Sequence, residues 1–177
     1  LGFRANSEEG KLMGLAPYGK FDIGIQKKLE DFVSYDKTNF SYIVDPTYRF
    51  YNQRTYNALF TDKLVKAFGP PRSPHQKLTS YHKNLAFNVQ WRLEQIVSSI
   101  VSKYVNANKI HNVCLAGGVA MNCKMNGVIA NLPEVKNIHV QPASSDNGTA
   151  LGAACISAVK KKFVFNKIYP FSNLSGS

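Results

Sequence analysis

The sequence predicts an α/β fold with parallel strands, and two segments of its last third carry that prediction. In the first, the short apolar run "HNVCLA" passes directly into the helical pattern "GGVAMNCKMNGVIANL". In the second, the strand-like "NIHVQP" is followed by the polar cluster "SSDNGT" and a helical segment that ends in three lysines. Strands that alternate with single helices pair in parallel through right-handed crossovers. Residues 111–162 are therefore expected to form two strand-helix units.

A long amphipathic helix is predicted upstream, over residues 79–106. Its apolar residues recur every three or four positions from Leu85 to Tyr104, and Thr79 is a suitable N-cap. This spacing predicts that the helix buries a single stripe. Before it, residues 21–78 have the character of an insertion or connecting region, with a helix in "IQKKLEDFV", a strand in "NFSYIVDPTYRFY" and a proline-stiffened "FGPPRSP".

Composition narrows the class of protein. The 177 residues are 44% hydrophobic, yet they hold no apolar run long enough for a membrane span and no secretory leader pattern, so we expect a cytoplasmic protein without a membrane partner. The net charge of +11 is spread along the chain, which favours a solvated surface over a nucleic-acid site.

Cys114, Cys123 and Cys155 form no CxxC pair and are expected to be reduced, buried and structural.

Two glycines stand where the first predicted strand, 112–116, turns into its helix. Gly117 and Gly118 can let a ligand approach the main chain at the carboxyl end of a parallel strand, where open sheets bind ligands. A tight turn without a ligand is the alternative. Asn122 and Asn126 follow one helical turn apart, and they can hydrogen-bond a base or ribose or simply cap the helix.

The second unit has the same layout with an added carboxylate. Asp146 lies just past the predicted strand 137–141, and Gly148 and Thr149 follow it. A carboxylate there can ligate a divalent metal or a hydroxyl group, and the threonine can bond a phosphate oxygen. The alternative is that Asp146 only caps the next helix.

Other candidate residues are less specific. Lys11, in the glycine-rich "EEGKLMGLAPYGK", suits a phosphate ligand or an ordinary surface lysine. The four histidines have no metal-ligand spacing, and the sequence has neither a P-loop motif nor GxGxxG. P-loop enzymes and Rossmann dehydrogenases are therefore disfavoured.

Three stretches together resemble one enzyme family. The segments "EEGKLMGLAPYGK", "LAGGVAMNCKMNGVIA" and "VQPASSDNGTALGAA" resemble the signature segments of the O-carbamoyltransferases typified by nodulation-protein and tobramycin-biosynthesis enzymes, and "FGPPRSP" with "HKNLAFNVQ" is similar to the segment between them. The resemblance implies an actin-like, sugar-kinase-like ATPase fold. It also implies transfer of a carbamoyl group from carbamoyl phosphate, through a carbamoyl-adenylate made from ATP, to a hydroxyl of a small-molecule acceptor, beside a divalent ion such as Fe²⁺.

The same resemblance assigns roles to individual residues. Gly117, Gly118 and Asn122 would hold the adenosine, and Asp146 would ligate the metal at the reaction centre. Lys11 would act in catalysis by facing the phosphate or carbamoyl group, together with the backbone of Asn147, Gly148 and Thr149.

The sequence also departs from the family pattern. The paired metal histidines of the family, in an HxxxH pattern, do not occur in these residues, and Asn84 stands where the family often has an aspartate. We therefore expect residues 1–177 to be the later half of the transfer domain, inactive without an upstream half-domain and an adenylate-forming domain, and able to form a homodimer through the exposed half-cleft. A tRNA threonylcarbamoyl-adenosine-type modification ATPase and a non-catalytic nucleotide-binding module are the alternatives.

Overall fold

The computed structural model describes residues 1–4, 7–48, 60–73 and 75–163. These residues form a mixed α/β structure, which confirms the predicted class. The helices are α1 (Glu9–Leu15), α2 (Ile23–Phe32), α3 (Asp62–Phe68), α4 (Ser80–Asn108), α5 (Cys123–Ala130) and α6 (Asn147–Lys160), and the strands are β1 (Val33–Asp36), β2 (Ser41–Val44), β3 (Asn112–Leu115) and β4 (Asn137–Val140). No helix within the described ranges is both long and apolar enough to cross a membrane.

Strands β3 and β4 form a parallel pair, with Asn112 opposite Asn137 and Leu115 opposite Val140. Helix α5 connects them and packs against both β4 and α4. The predicted strand-helix units are thus confirmed, with each strand ending one residue earlier than expected. A further sheet, the antiparallel hairpin of β1 and β2, lies in the region treated as a connection. Its first strand was not predicted because it continues from α2 without a turn residue between them.

Helix α4 begins after Thr79, whose main-chain amide donates to His82 Nδ1 in a capping box. It ends at Lys109, which has the left-handed φ of 57°. The prediction of a helix is confirmed, whereas the prediction of a single buried stripe is wrong: Tyr104 is 51% exposed, and Asn88 and Gln90 are buried. The amino-terminal half of α4 packs against α1, α2 and α5 together, so polar positions outside the apolar stripe are buried as well.

Asn88 ties α4 to the segment before α2. Its Nδ2 donates to the carbonyl oxygen of Lys20 at 2.9 Å, and its Oδ1 accepts from the amide of Asp22 at 3.1 Å and from Gln26 Nε2 at 3.0 Å. One turn earlier, Asn84 Oδ1 accepts from the amide of Lys20 at 3.0 Å. Asn84 and Asn88 therefore fix the chain at the end of the glycine-rich segment.

The cysteines are free, as expected, but the expectation that they are buried is wrong. Cys114 and Cys123 are exposed, and Cys155 is half-buried. The side chain of Cys114 lies on an uncovered face of the two-stranded sheet, and Cys123 occupies the first position of α5. Helix α6 has no buried residue, which leaves Leu151, Ile156 and Val159 exposed.

Candidate functional site

The two loops that follow β3 and β4 meet at one edge of the parallel sheet. We call residues 116–122 the first loop and residues 141–146 the second loop. The amide of Gly117 donates to the carbonyl oxygen of Ser144 at 2.7 Å, and the amide of Gln141 donates to the carbonyl oxygen of Leu115 at 3.0 Å. The candidate residues on the two loops are therefore brought to the same side of the structure, as the parallel pairing predicts.

The two glycines of the first loop leave main chain accessible. Gly117 adopts φ 94° and ψ 168°, a region that is open essentially to glycine alone. A Cβ built on Gly118 would find no heavy atom within 4 Å, so the space over this residue is open. A ligand can approach the backbone here without displacing any side chain of the described residues.

Asn122 caps α5, which was one of its two predicted roles. Its Oδ1 accepts from the amide of Met125 at 3.0 Å. The same side chain pairs with the buried Gln90 of α4: Gln90 Nε2 donates to Asn122 Oδ1 at 3.0 Å, and Asn122 Nδ2 donates to Gln90 Oε1 at 2.8 Å. Capping uses the oxygen, so a ligand would have to meet the amide nitrogen.

Asn126 turns inward instead of toward a ligand. Its Nδ2 donates to the carbonyl oxygen of Ala120 at 2.8 Å, which closes the 3-10 turn Gly118–Met121 onto α5. Its Oδ1 is buried and has no hydrogen-bond partner. The structure thus gives Asn126 a role in shaping the first loop.

Asp146 occupies the N-cap position of α6, but its carboxylate makes no cap hydrogen bond and the residue is exposed. The alternative of a simple side-chain cap is therefore not what the structure shows. The carbonyl oxygen of Asp146 accepts from Thr149 Oγ1 at 2.6 Å, so this hydroxyl proton is engaged with the backbone. Asn147 is the exposed first residue of α6, and Gly148 lies against the carbonyl oxygen of Ala143, which a Cβ would approach to 2.3 Å.

A divalent metal needs more than Asp146. In the part of the chain that the structure describes, no group of three or more His, Cys, Asp and Glu side chains lies close enough to hold an ion. Hard cations take six or more oxygen ligands, and structural or catalytic zinc takes at least three protein ligands. One exposed carboxylate does not form such a site.

Lys11 lies in α1, where its Nζ forms an ion pair of 2.6 Å with Glu8 Oε1. The hydrogen bond from Lys11 holds the pKa of the Glu8 carboxyl below its usual range, and the main-chain amide of Arg4 adds to the effect. Helix α1 does approach the start of α5, directly after the first loop, since Met13 Sδ lies 3.8 Å from Cys123 Sγ. Residues two apart on a helix point about 200° apart, so Lys11 lies on the side of α1 away from this contact. Its role at the phosphate stays a prediction.

A cavity of about 540 Å³, which was not predicted from the sequence, lies on another side of α1. Its lining is mostly apolar and comes from the first residues, α1, α2, α3 and α4.

The predictions also missed Gln90. The available signal was a glutamine in the amino-terminal half of an amphipathic helix, close to positions expected to be buried.

Comparison with known proteins identifies the family. Residues 1–155 match the family described as Carbamoyltransferase N-terminus. The chain belongs to the carbamoyltransferase family. The nodulation protein NolO of Bradyrhizobium diazoefficiens is 35% identical over 147 residues, covering 83% of this chain and 24% of that protein. NolNO of Sinorhizobium fredii is 36% identical over 148 residues, covering 83% of this chain and 20% of that protein.

The chain is also similar to an uncharacterized protein of Synechocystis. The two are 37% identical over 158 residues, which cover 86% of this chain and 24% of the relative. The chain thus spans about a quarter of the length of these relatives. Membership of the family confirms the resemblance found in the sequence motifs. The match over residues 1–155 includes both strand-end loops.

Proposed function

We propose that the chain supplies part of the transfer domain of an ATP-dependent O-carbamoyltransferase, in which its two strand-end loops bind the adenylate. The observation that carries the proposal is the 2.7 Å hydrogen bond between the Gly117 amide and the Ser144 carbonyl oxygen. This bond joins the two strand-end loops at the carboxyl edge of a parallel pair, the place where such sheets bind nucleotides. Membership of the carbamoyltransferase family supports the choice of reaction.

The proposed reaction transfers a carbamoyl group to an oxygen. A hydroxyl oxygen of the acceptor attacks the carbamoyl carbon of carbamoyl-adenylate, and a new carbon–oxygen bond forms. The bond between that carbon and the adenylate phosphate oxygen breaks, AMP leaves with the electron pair, and the hydroxyl proton passes to a base. Carbamoyl phosphate and ATP are the proposed sources of the carbamoyl group and the adenylate.

The residues of the chain would bind and orient the adenylate. The open main chain at Gly118 would lie against the nucleoside, and the amide nitrogen of Asn122 would donate to it. Val119 and Met121, on the same 3-10 turn, are 57% and 65% exposed and offer apolar surface to a purine ring. Around the second loop, the main chain of Asn147, Gly148 and Thr149 would face the phosphate.

The proposal keeps Asp146 as one ligand of a divalent metal, with Fe²⁺ the preferred candidate from the family resemblance. The exposed carboxylate, which makes no cap bond, is free to take that role. The remaining ligands would come from outside the described residues. Titration of ATP into Asp146→Ala tests this role. We expect the variant to lose the ATP binding that depends on the metal and to keep the ATP binding that is measured without metal.

Titration calorimetry of ATP into the chain tests the nucleotide assignment. Gly118→Val should weaken binding at least about tenfold because the added side chain fills the space over the loop. Gly127→Val is the matched control: this glycine also has open space around it but lies within α5, away from the loops. Failure of the unmodified chain to bind ATP, or equal loss in both variants, would contradict the assignment.

A further inference from the structure

The amide of Asn122 is held in one orientation by groups on two helices. Its Oδ1 accepts from the main-chain amide of Met125 on α5, which can only donate. Gln90 is 5% exposed on α4, and its Nε2 donates to Asn122 Oδ1 at 3.0 Å and to Glu94 Oε1 at 2.7 Å. A carboxylate oxygen accepts hydrogen bonds, so Glu94 must face the amide nitrogen of Gln90.

These two anchors fix the direction of the whole amide pair. The Met125 amide requires the oxygen of Asn122 at its position, and Glu94 requires the nitrogen of Gln90 at its position. Exchanging oxygen and nitrogen in either side chain would oppose two donors or two acceptors, which is costly for a buried group. The structure therefore gives an unambiguous assignment for both side chains.

Counting the donors and acceptors of Asn122 and Gln90 then leaves one N–H of Asn122 unused within the described residues. Both lone pairs of Asn122 Oδ1 are used, by Gln90 Nε2 and by the Met125 amide, and both hydrogens of Gln90 Nε2 are used. Asn122 Nδ2 spends one hydrogen on Gln90 Oε1 at 2.8 Å. Among the described residues, nothing accepts its second hydrogen, and Asn122 is only half-buried.

We infer that Gln90, backed by Glu94, is a positioning residue that presents the remaining N–H of Asn122 as a donor to an acceptor atom of the nucleotide. This inference rests on the proposed function, because it concerns the same nucleotide site. It narrows the role of Asn122, which in this arrangement serves a ligand only as a donor. It also places α4 in the nucleotide site without contact to the ligand.

The test compares two glutamines of the same helix by titration of ATP. Gln90→Ala should weaken ATP binding about tenfold, since Asn122 is no longer held. Gln95→Ala is the matched control, because Gln95 is exposed on α4 and has the same change of helix propensity. Gln90→Met, of similar length and helix propensity, should match Gln90→Ala and guards against loss of fold, which circular dichroism monitors.

A second pair of variants separates positioning from helix capping. Asn122→Ser keeps a good N-cap for α5 but removes the amide N–H donor, so its urea midpoint should fall less than that of Asn122→Ala while ATP binding weakens as much. Asn122→Ala should lose both the N-cap of α5 and the N–H donor. A purely structural role for the pair predicts that affinity follows stability across all these variants.

The outcomes distinguish the inference from the function on which it rests. Normal ATP binding by Gln90→Ala and Gln90→Met, with loss in Gly118→Val, would overturn the positioning role and leave the nucleotide assignment standing. Normal binding by Asn122→Ser would overturn the donor role. Absence of ATP binding by the unmodified chain would overturn both the proposed function and the inference.

Discussion

The main-chain amide of Gly117 donates to the carbonyl oxygen of Ser144, and Gly117 makes this bond with φ 94° and ψ 168°. The bond extends the contact between β3 and β4 beyond the last paired residues. It thereby sets the distance between a loop that carries Asn122 and a loop that carries Asp146. The relationship between the two candidate sites thus depends on the backbone of one residue.

Gly117→Ala should therefore destabilise the chain and loosen the joined loops. A side chain in this backbone region costs about 1–3 kcal/mol, and relief of that strain would break the bond to Ser144. Urea denaturation should show the loss, and ATP affinity should fall with it. Gly118→Ala is the control for the stability measurement, because its Cβ meets open space and its φ is not positive. Equal stability of the two variants would contradict the strained conformation of Gly117.

Much of this edge could be predicted from the sequence because its signals are local. The β-rich runs before Gly117 and before Asp146 mark the strands, and short connections through a helix require parallel pairing. The joining of Gln90 to Asn122 is different in kind. It is a contact between distant segments, and no local pattern in α4 specifies which amide it will meet.

The wrong predictions of burial have the same origin, because burial also depends on contacts between distant segments. The spacing from Leu85 to Tyr104 correctly predicts a helix, but burial on α4 depends on which neighbours cover it. Asn88 is completely buried because α2 and the segment before it cover this position, whereas Tyr104 of the same helix is 51% exposed. Apolar surroundings in sequence likewise failed to predict the exposure of Cys114, because burial needs a partner layer.

Two glycines of the second unit should respond to alanine in opposite ways. A Cβ on Gly148 would lie 2.3 Å from the carbonyl oxygen of Ala143, a main-chain atom that cannot move aside cheaply. Gly148→Ala should therefore destabilise the chain by about 1–3 kcal/mol. Gly152 lies within α6 with open space around it, so Gly152→Ala should stabilise by about 0.5–1 kcal/mol.

Urea midpoints of these two variants check the close approach of α6 to the second loop. Equal effects on stability would mean that Ala143 does not lie against Gly148. A fall in ATP affinity for Gly148→Ala, with none for Gly152→Ala, would additionally support the part that the second loop plays in the proposed site.

The capping of α4 should depend on pH through His82. Its Nδ1 accepts from the main-chain amide of Thr79 at 3.0 Å, which requires that nitrogen to be unprotonated. Burial lowers the pKa of His82, and the positive charges of the amino terminus and Arg72 lower it further. The unfolded chain therefore takes up the proton first, and stability should fall as pH drops below about 6.5 toward the lowered pKa of the folded state.

His82→Gln isolates this effect. A glutamine at the third position of a helix completes a capping box without titrating. The variant should match the unmodified chain near pH 7.5 and be more stable at pH 5, by about 1 kcal/mol or less because the side chain is partly exposed. Parallel thermal unfolding curves at the two pH values measure the difference. An identical pH dependence in both proteins would contradict the role of His82.

Acid should weaken a second link, between β2 and α3. Asp45 Oδ2 accepts from Lys63 Nζ at 2.7 Å, and Asp45 Oδ1 accepts from the amide and hydroxyl of Thr47 at 2.8 and 2.7 Å. The hydrogen bond from Lys63, with those from Thr47, lowers the pKa of Asp45 from 3.8 to about 2. For a depressed carboxyl pKa, the stabilisation is complete above the unfolded value and is lost as pH falls through the folded value.

The unmodified chain should accordingly be more stable than Asp45→Asn at pH 5, and the gap between their urea midpoints should close as pH falls from about 4 to 2. Both partners are partly exposed, so 1 M salt should narrow the gap at pH 5 as well, since the Debye length is then about 3 Å. The bonds from Thr47 involve dipoles rather than a counter-charge and should survive the salt. A gap that persists unchanged at pH 2 would show that Asp45 stabilises this link by something other than its charge.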